Sequence, residues 1–274
     1  MPKAVTALLL SSHPGPSIAV TIVTVVLSIG AGLDPWRVAL LAFAMLFDQL
    51  SVGFSNDWID AARDRQSGRT DKPVAAGLIS APAVRTAAFV SAVLSLVLTA
   101  PLGLAALVAH TIVLFSAWSY NAWLKNTPIS VLPFIVSFGS LPLLATLSSA
   151  SPVFAAWWAF GAGAMLGIAA HFSNVLPDLD ADAATGVHGL PHRMGRRVSG
   201  IVVAFALVAA SAFIVVGSPD LVHWIGLGVS LVLAIVCAYL VLTRPPTRLL
   251  FQLIIVGALV DVVLLAVSGS GFAA

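Results

Sequence analysis

Apolar runs of helical length, broken by short polar stretches, fill most of the chain. They fall near residues 17–33, 36–54, 82–100, 102–124, 129–149, 152–173, 198–217, 221–243 and 248–270. A helix needs roughly 20 apolar residues to cross a hydrocarbon core about 30 Å thick. The runs match that length, so the pattern predicts nine transmembrane helices. Little more than Pro101 and Gly103 parts the third run from the fourth, which leaves eight as the alternative count. Polar side chains gather at the ends of the second and sixth runs, in residues 55–80 and 174–197.

Composition turns this pattern into a class. The 274 residues are 59% hydrophobic and 9% charged, against about 25% charged in soluble proteins, which excludes a water-soluble enzyme. Cys237 stands alone inside an apolar run, so neither a disulfide framework nor a thiolate metal site is available. There is no glutamate, and seven of the eleven aspartates lie in the two polar stretches, where the chemistry is therefore expected. With nine spans, twelve of the thirteen Lys and Arg residues share one side and only Arg37 lies opposite. The positive-inside rule then puts that side in the cytoplasm and the C-terminus outside. Met1 to Pro16 carries one lysine and no cleavage site after a short apolar core, so the first run is expected to be a retained span. Trp36, Trp118, Trp123, Trp157, Trp158 and Trp224 lie near predicted span ends and read as an interfacial belt.

The two polar stretches repeat one another. An offset of 118 residues aligns Asn56 with Asn174, Asp60 with Asp178, Asp64 with Asp182, Gly68 with Gly186, Pro73 with Pro191 and Gly77 with Gly195. Four helices separate the copies. The expected fold is an all-α membrane protein of two four-helix repeats, about 17–124 and 129–243, plus a ninth helix at 248–270. Together they form a single domain over 1–274 around a central, lipid-accessible cavity. If each span continues as helix through its motif, the polar residues at i, i+4 and i+8 line one face, and each half offers a ladder of carboxylates. A merely solvated helix end has no reason to repeat this spacing. Hard carboxylate oxygens without His or Cys at matching positions suit Mg²⁺, which is commonly shared between a few carboxylates and a substrate phosphate. Bases follow or interleave with the acids in the first stretch, as Arg63, Arg65, Arg69 and Lys72, and trail them in the second, as Arg193, Arg196 and Arg197. Metals on one side and cations on the other would grip a polyphosphate, and an apolar bundle beneath would accept a hydrocarbon tail.

Asn56-Asp57-x2-Asp60-x3-Asp64, with Arg69-Thr70, Lys72-Pro73 and Gly77-x-Ile79-Ser80 after it, resembles the first signature of the UbiA superfamily of intramembrane prenyltransferases. Asp178-x3-Asp182-x3-Gly186 with Leu190-Pro191 resembles the second, and Tyr120-Asn121-x3-Lys125 resembles the segment between them. Lys72 and Gly189 depart from that pattern, standing where arginine and threonine are frequent. The resemblance implies that Asn56, Asp60, Asp64, Asp178 and Asp182 hold Mg²⁺ on an isoprenyl diphosphate. It further implies that Arg69, Lys72, Tyr120, Asn121 and Lys125 hold or cover the diphosphate. Ionisation of the allylic C–O bond would let an aromatic or lipophilic acceptor, most simply a quinone precursor, attack the cation. Asp60, Asp64, Asp178 and Asp182 are thus the expected catalytic carboxylates. Phe134, Phe138 and Trp158 are candidate shelters for the cation. The implied partners are the diphosphate, the acceptor and membrane lipid, and no nucleic acid.

Asp48, His171 and Asn174 are candidates for meeting the acceptor, Asp48 because an ionisable residue at membrane depth is a functional candidate by default. A membrane terpene cyclase would use the same ladders without an acceptor. A divalent-ion transporter would also carry repeats and paired acids, but its sites lie near the midplane at broken helices rather than at span ends.

Overall fold

The computed structural model describes residues 3–70, 72–177, 179–184, 186–243 and 248–272, and the extended regular structure in them is helical. The α-helices are α1 (Lys3–Ser11), α2 (Pro14–Gly30), α3 (Pro35–Gln66), α4 (Ala81–Thr99), α5 (Leu104–Ala122), α6 (Leu132–Leu147), α7 (Trp157–Val175), α8 (Leu179–Ala184), α9 (Leu190–Gly217), α10 (Leu221–Thr243) and α11 (Arg248–Val267). Every apolar run in the sequence lies on one of them, whereas α1 and α8 belong to no run. Among the described residues, α3, α4 with its following turn, α5, α9 and α10 are each long and apolar enough to cross a membrane. The pair α1–α2, bent by 56°, makes a sixth. The described apolar stretches of α6 and α11 are shorter. Helices therefore occupy all nine expected positions, while length and apolarity among the described residues qualify six at most.

Proline and glycine set the boundaries. Pro35, Pro82 and Pro191 sit in first turns, where a missing N–H costs nothing, and Ser80 Oγ accepts from Ala83 N to cap α4. Gly68 closes α3 with a left-handed residue: Gly68 N donates to Arg65 O at 3.2 Å and Arg69 N to Asp64 O at 2.9 Å. The same closure recurs 118 residues on, where Gly186 N donates to Ala183 O at 3.2 Å and Val187 N to Asp182 O at 3.0 Å. Gly68 and Gly186 have φ of 69° and 82°, and Gly77 and Gly195 have φ of 72° and 75°. Gly68 and Gly186 thus do the same conformational work, whereas Gly195, with φ 75° and ψ 167°, makes a kink inside α9.

The second carboxylate ladder is not a continuous helix, and this corrects the simple extrapolation of both spans through their motifs. α3 runs unbroken to Gln66, but α7 ends at Val175 and α8 starts at Leu179. Pro177 is the cause, because it has no N–H to donate and its ring clashes with the preceding turn, at about 3 kcal/mol or more inside a helix. Ile59 stands at the aligned position of the first motif.

Lipid tails are as apolar as leucine, so helices in a bilayer associate through close packing and small residues. Gly163 and Gly167 let α7 approach α6 this way; a Cβ at either would lie 2.5 Å from Phe138 O and 2.3 Å from Phe134 O. That contact places His171, one turn beyond Gly167, beside Phe134, with ring centres 4.8 Å apart. Trp158 does not belong to an interfacial belt and does not line the cavity described below: it is buried, against Gly217.

Candidate active site

One cavity of about 530 Å³ collects the polar residues of both halves. α3 contributes Asn56, Asp60 and Asp64, the connection after it Arg69 and Lys72, α5 Tyr120 and Asn121, the turn after α5 Lys125, α7 His171 and Asn174, and α8 Asp182. These include each predicted metal, diphosphate and acceptor residue except Asp48 and Asp178. Asp178 lies outside the described residues.

Asp60 is the hub. Lys125 Nζ contacts its Oδ1, Arg63 Nη2 lies 2.8 Å from its Oδ2, and Asn56 Nδ2 donates to Oδ2 at 3.2 Å. Asn121 ties α5 to this helix, donating from Nδ2 to Val52 O at 2.9 Å and to Ser55 Oγ at 2.7 Å. Lys72 Nζ donates to Asn56 Oδ1 at 3.0 Å and stands 4.0 Å from Asp57 Oδ1. Burial pulls the Lys72 ammonium below the ordinary lysine range, with the carboxylates of Asp57, Asp64 and Asp60 opposing. Burial does the same to Lys125, with Asp60 opposing. Both cations are dehydrated, which strengthens their attraction for an anion entering the cavity.

The donor set fits Mg²⁺. Asn56, Asp60, Asp64 and Asp182 offer oxygens only, and Asp64 Oδ2 is buried without a hydrogen-bond partner. Among the described residues no three His, Cys, Asp or Glu side chains converge tightly enough to cage an ion by themselves. Mg²⁺ does not require such a cage, since it keeps waters and takes phosphate oxygens alongside one or two carboxylates.

An apolar cavity of about 100 Å³ adjoins the polar one, lined by Val52, Val113, Ala117, Phe134, Phe138 and Leu141 among others. Gln49, Val52, Tyr120 and Phe134 line both parts, so they mark the junction. Tyr120 meets Phe134 edge-on, with ring centres 5.0 Å apart. The lining is polar on one side of these residues and mostly apolar on the other.

The sequence profile of the UbiA prenyltransferase family matches residues 17–260. The chain belongs to that family. Its fold agrees with solved structures at low sequence identity. A UbiA homologue from Archaeoglobus fulgidus bound to GPP and Mg²⁺ superposes with a TM-score of 0.74 at 13% identity, covering 96% of this chain and 99% of that one. An apo UbiA homologue from Aeropyrum pernix K1 gives 0.73 at 18% identity, covering 89% and 96%. A digeranylgeranylglyceryl phosphate synthase gives 0.71 at 20% identity, covering 98% and 99%. No curated protein matches this chain in sequence. As a UbiA-family protein it is an integral membrane prenyltransferase, in keeping with its apolar helices.

Several residues of this UbiA site carry no motif. His13, Gln49 and His192 line the cavity, and Ser130 holds His171, with Oγ 3.1 Å from Nε2. Asp48 stands one layer behind the wall. It is fully buried, accepts from Gln49 Nε2 at 2.8 Å through Oδ2, and faces His110 Nε2 at 3.5 Å through Oδ1. His110 Nδ1 in turn lies 2.6 Å from Thr99 Oγ1. Asp48 therefore orients Gln49, which is the residue that reaches the cavity.

Proposed function

We propose that this protein catalyses the Mg²⁺-dependent transfer of a prenyl group from an isoprenyl diphosphate to an aromatic or lipophilic acceptor, in the simplest case a quinone precursor. The observation that carries the reading is a polar cavity that pairs carboxylates with dehydrated cations and shares four lining residues with an apolar cavity beside it. A prenyl diphosphate has the same two-part chemistry. GPP and DMAPP, each with Mg²⁺, are bound by the Archaeoglobus fulgidus homologue of the same fold.

Asn56, Asp60, Asp64 and Asp182, with Asp178 by its place in the repeat, are the proposed holders of Mg²⁺. When bound, the metal neutralises charge on the departing diphosphate. Arg69, Lys72 and Lys125 grip the phosphate oxygens and stabilise the charge that develops as the allylic C–O bond breaks and its electron pair leaves with the diphosphate. Phe134 and Tyr120 at the junction face the allylic cation and keep water from it. The acceptor's electron pair then closes on the cation and the acceptor loses a proton. His171 is suited to orient that acceptor. Ser130 Oγ accepts from Leu190 N at 2.9 Å and lies 3.1 Å from His171 Nε2, while His171 Nδ1 is buried without a hydrogen-bond partner. Asn174 lies one turn further along α7, on the same cavity.

The test is to incubate the purified protein with Mg²⁺, labelled prenyl diphosphates of several lengths and a panel of acceptors that includes phenolic quinone precursors, and to identify lipid products by mass. A labelled adduct with one acceptor class is the expected result. A cyclised hydrocarbon formed without any acceptor would convert the reading to a cyclase.

The repeat and the charge distribution support nine crossings, arranged as two four-helix repeats plus α11, with the site on the cytoplasmic face and the C-terminus outside. Reporters fused after Gly77 and after Gly195 are expected to read cytoplasmic and one at the C-terminus external. Opposite sides for the two loops would rule out the shared site.

A further inference from the structure

A corner ahead of the first long helix reaches into the polar end of the cavity. α1 ends at Ser11 and α2 begins at Pro14, and between them His13 takes φ 51° and ψ 64°. Left-handed backbone is costly for a residue with a Cβ and persists only where the surroundings over-determine it. Two contacts do so here. Ser17 Oγ donates to Ser12 O at 2.8 Å, and Ser12 O rests on Gly53, where a Cβ would come within 2.2 Å of it. Gly53 lies on α3 three residues before Asn56, so the corner is clamped to the helix that carries the first motif.

The clamp brings His13 Nε2 to 2.9 Å from Lys72 Nζ, at the cavity wall. An ammonium has three donors and no acceptor. Nε2 must therefore accept, and the imidazole is neutral with its proton on Nδ1. The second acceptor on Lys72 is the amide oxygen of Asn56, at 3.0 Å. The two atoms at hydrogen-bond distance from the ammonium are thus neutral acceptors, with the nearest carboxylate oxygen, Asp57 Oδ1, further off at 4.0 Å. Lys125 differs, because it sits directly on the Asp60 carboxylate.

We propose that His13 is a positioning residue for diphosphate binding, holding Lys72 at the cavity wall so that the lysine's charge meets the phosphate oxygens. The inference rests on the prenyl diphosphate reading above.

The test is calorimetric titration of the purified full-length protein with geranyl diphosphate and with inorganic pyrophosphate, each with Mg²⁺, alongside thermal melts. His13→Ala is expected to raise Kd for both ligands about tenfold, the equivalent of about 1.4 kcal/mol. His13→Gln, which keeps an acceptor atom, should stay within about threefold of wild type. His13→Gly, which suits the left-handed backbone, should bind as poorly as His13→Ala. In a Lys72→Ala background, His13→Ala should change Kd by less than about twofold, because residues acting through one contact are not additive. Unchanged Kd in His13→Ala, recovery by His13→Gly, or full multiplication of the two effects would overturn the proposal. Failure of the wild type to bind either ligand would instead remove the diphosphate reading itself, and this inference with it.

Discussion

Asp60→Ala is expected to lower kcat by at least about a hundred- to thousand-fold, the usual scale for losing a preorganised group that stabilises developing charge. Asp60 is a proposed metal ligand, and it is also the point where Lys125, Arg63 and Asn56 meet. Alanine removes the ligand and leaves Lys125 buried without its carboxylate, so some loss of stability accompanies the loss of turnover. Asp60→Asn separates the two effects, since it keeps the side chain's shape and an oxygen acceptor but removes the negative charge. It should remain folded in detergent and still be nearly inactive. Asp178→Ala should match Asp60→Ala by its place in the repeat. Steady-state kinetics with melting curves decide the matter, and wild-type rates in Asp60→Asn would exclude a charged-ligand role.

A second large effect comes from the places where the two halves differ. At the 118-residue offset Arg69 aligns with Val187 and Lys72 with Leu190, so only the first half carries cations there. Arg69, Lys72 and Val187 all line the cavity, whereas Leu190 contributes its backbone N–H to Ser130. Removing a charge-assisted contact to phosphate costs about 1.5–3 kcal/mol, or roughly one to two decades in binding. Arg69→Ala and Lys72→Ala should therefore raise KM for the prenyl diphosphate by about 10- to 100-fold and change KM for the acceptor little. Val187→Ala and Leu190→Ala should leave diphosphate affinity nearly unchanged. Equal weakening of diphosphate by Val187→Ala would refute this division of labour.

Much of this was legible in the sequence, because a bilayer imposes a length on each apolar run and a duplication writes the site twice. The nine helical positions and the cavity-lining Asn56, Asp60, Asp64 and Asp182 were readable for those reasons, and Arg69, Lys72 and Lys125 through the resemblance of their segments to the family signatures. The break between α7 and α8 was signalled by Pro177, but the matched spacing of the aspartates argued for continuity and a local proline rule won. His13, Gln49 and Ser130 have no counterpart motif. Their place at the site arises from tertiary contacts alone: a clamped corner, an amide held by Asp48, and a hydroxyl shared between His171 and Leu190 N. Asp48 was readable as a buried acid, yet its distance from the cavity depends on which face of α3 turns toward His110. Trp158 shows the converse, since a tryptophan near a span end is apolar enough to be buried in the bundle as readily as placed at the interface.

In the proposed reaction the allylic C–O bond ionises in this cavity with diphosphate as the leaving group. The most direct measurement is the amount of inorganic pyrophosphate released per prenylated product, in Mg²⁺, in chelator, and after Mg²⁺ is restored. Release equal to product formed, lost in chelator and recovered with Mg²⁺, is the predicted result; product that retains its phosphates, or undiminished turnover in chelator, would contradict it.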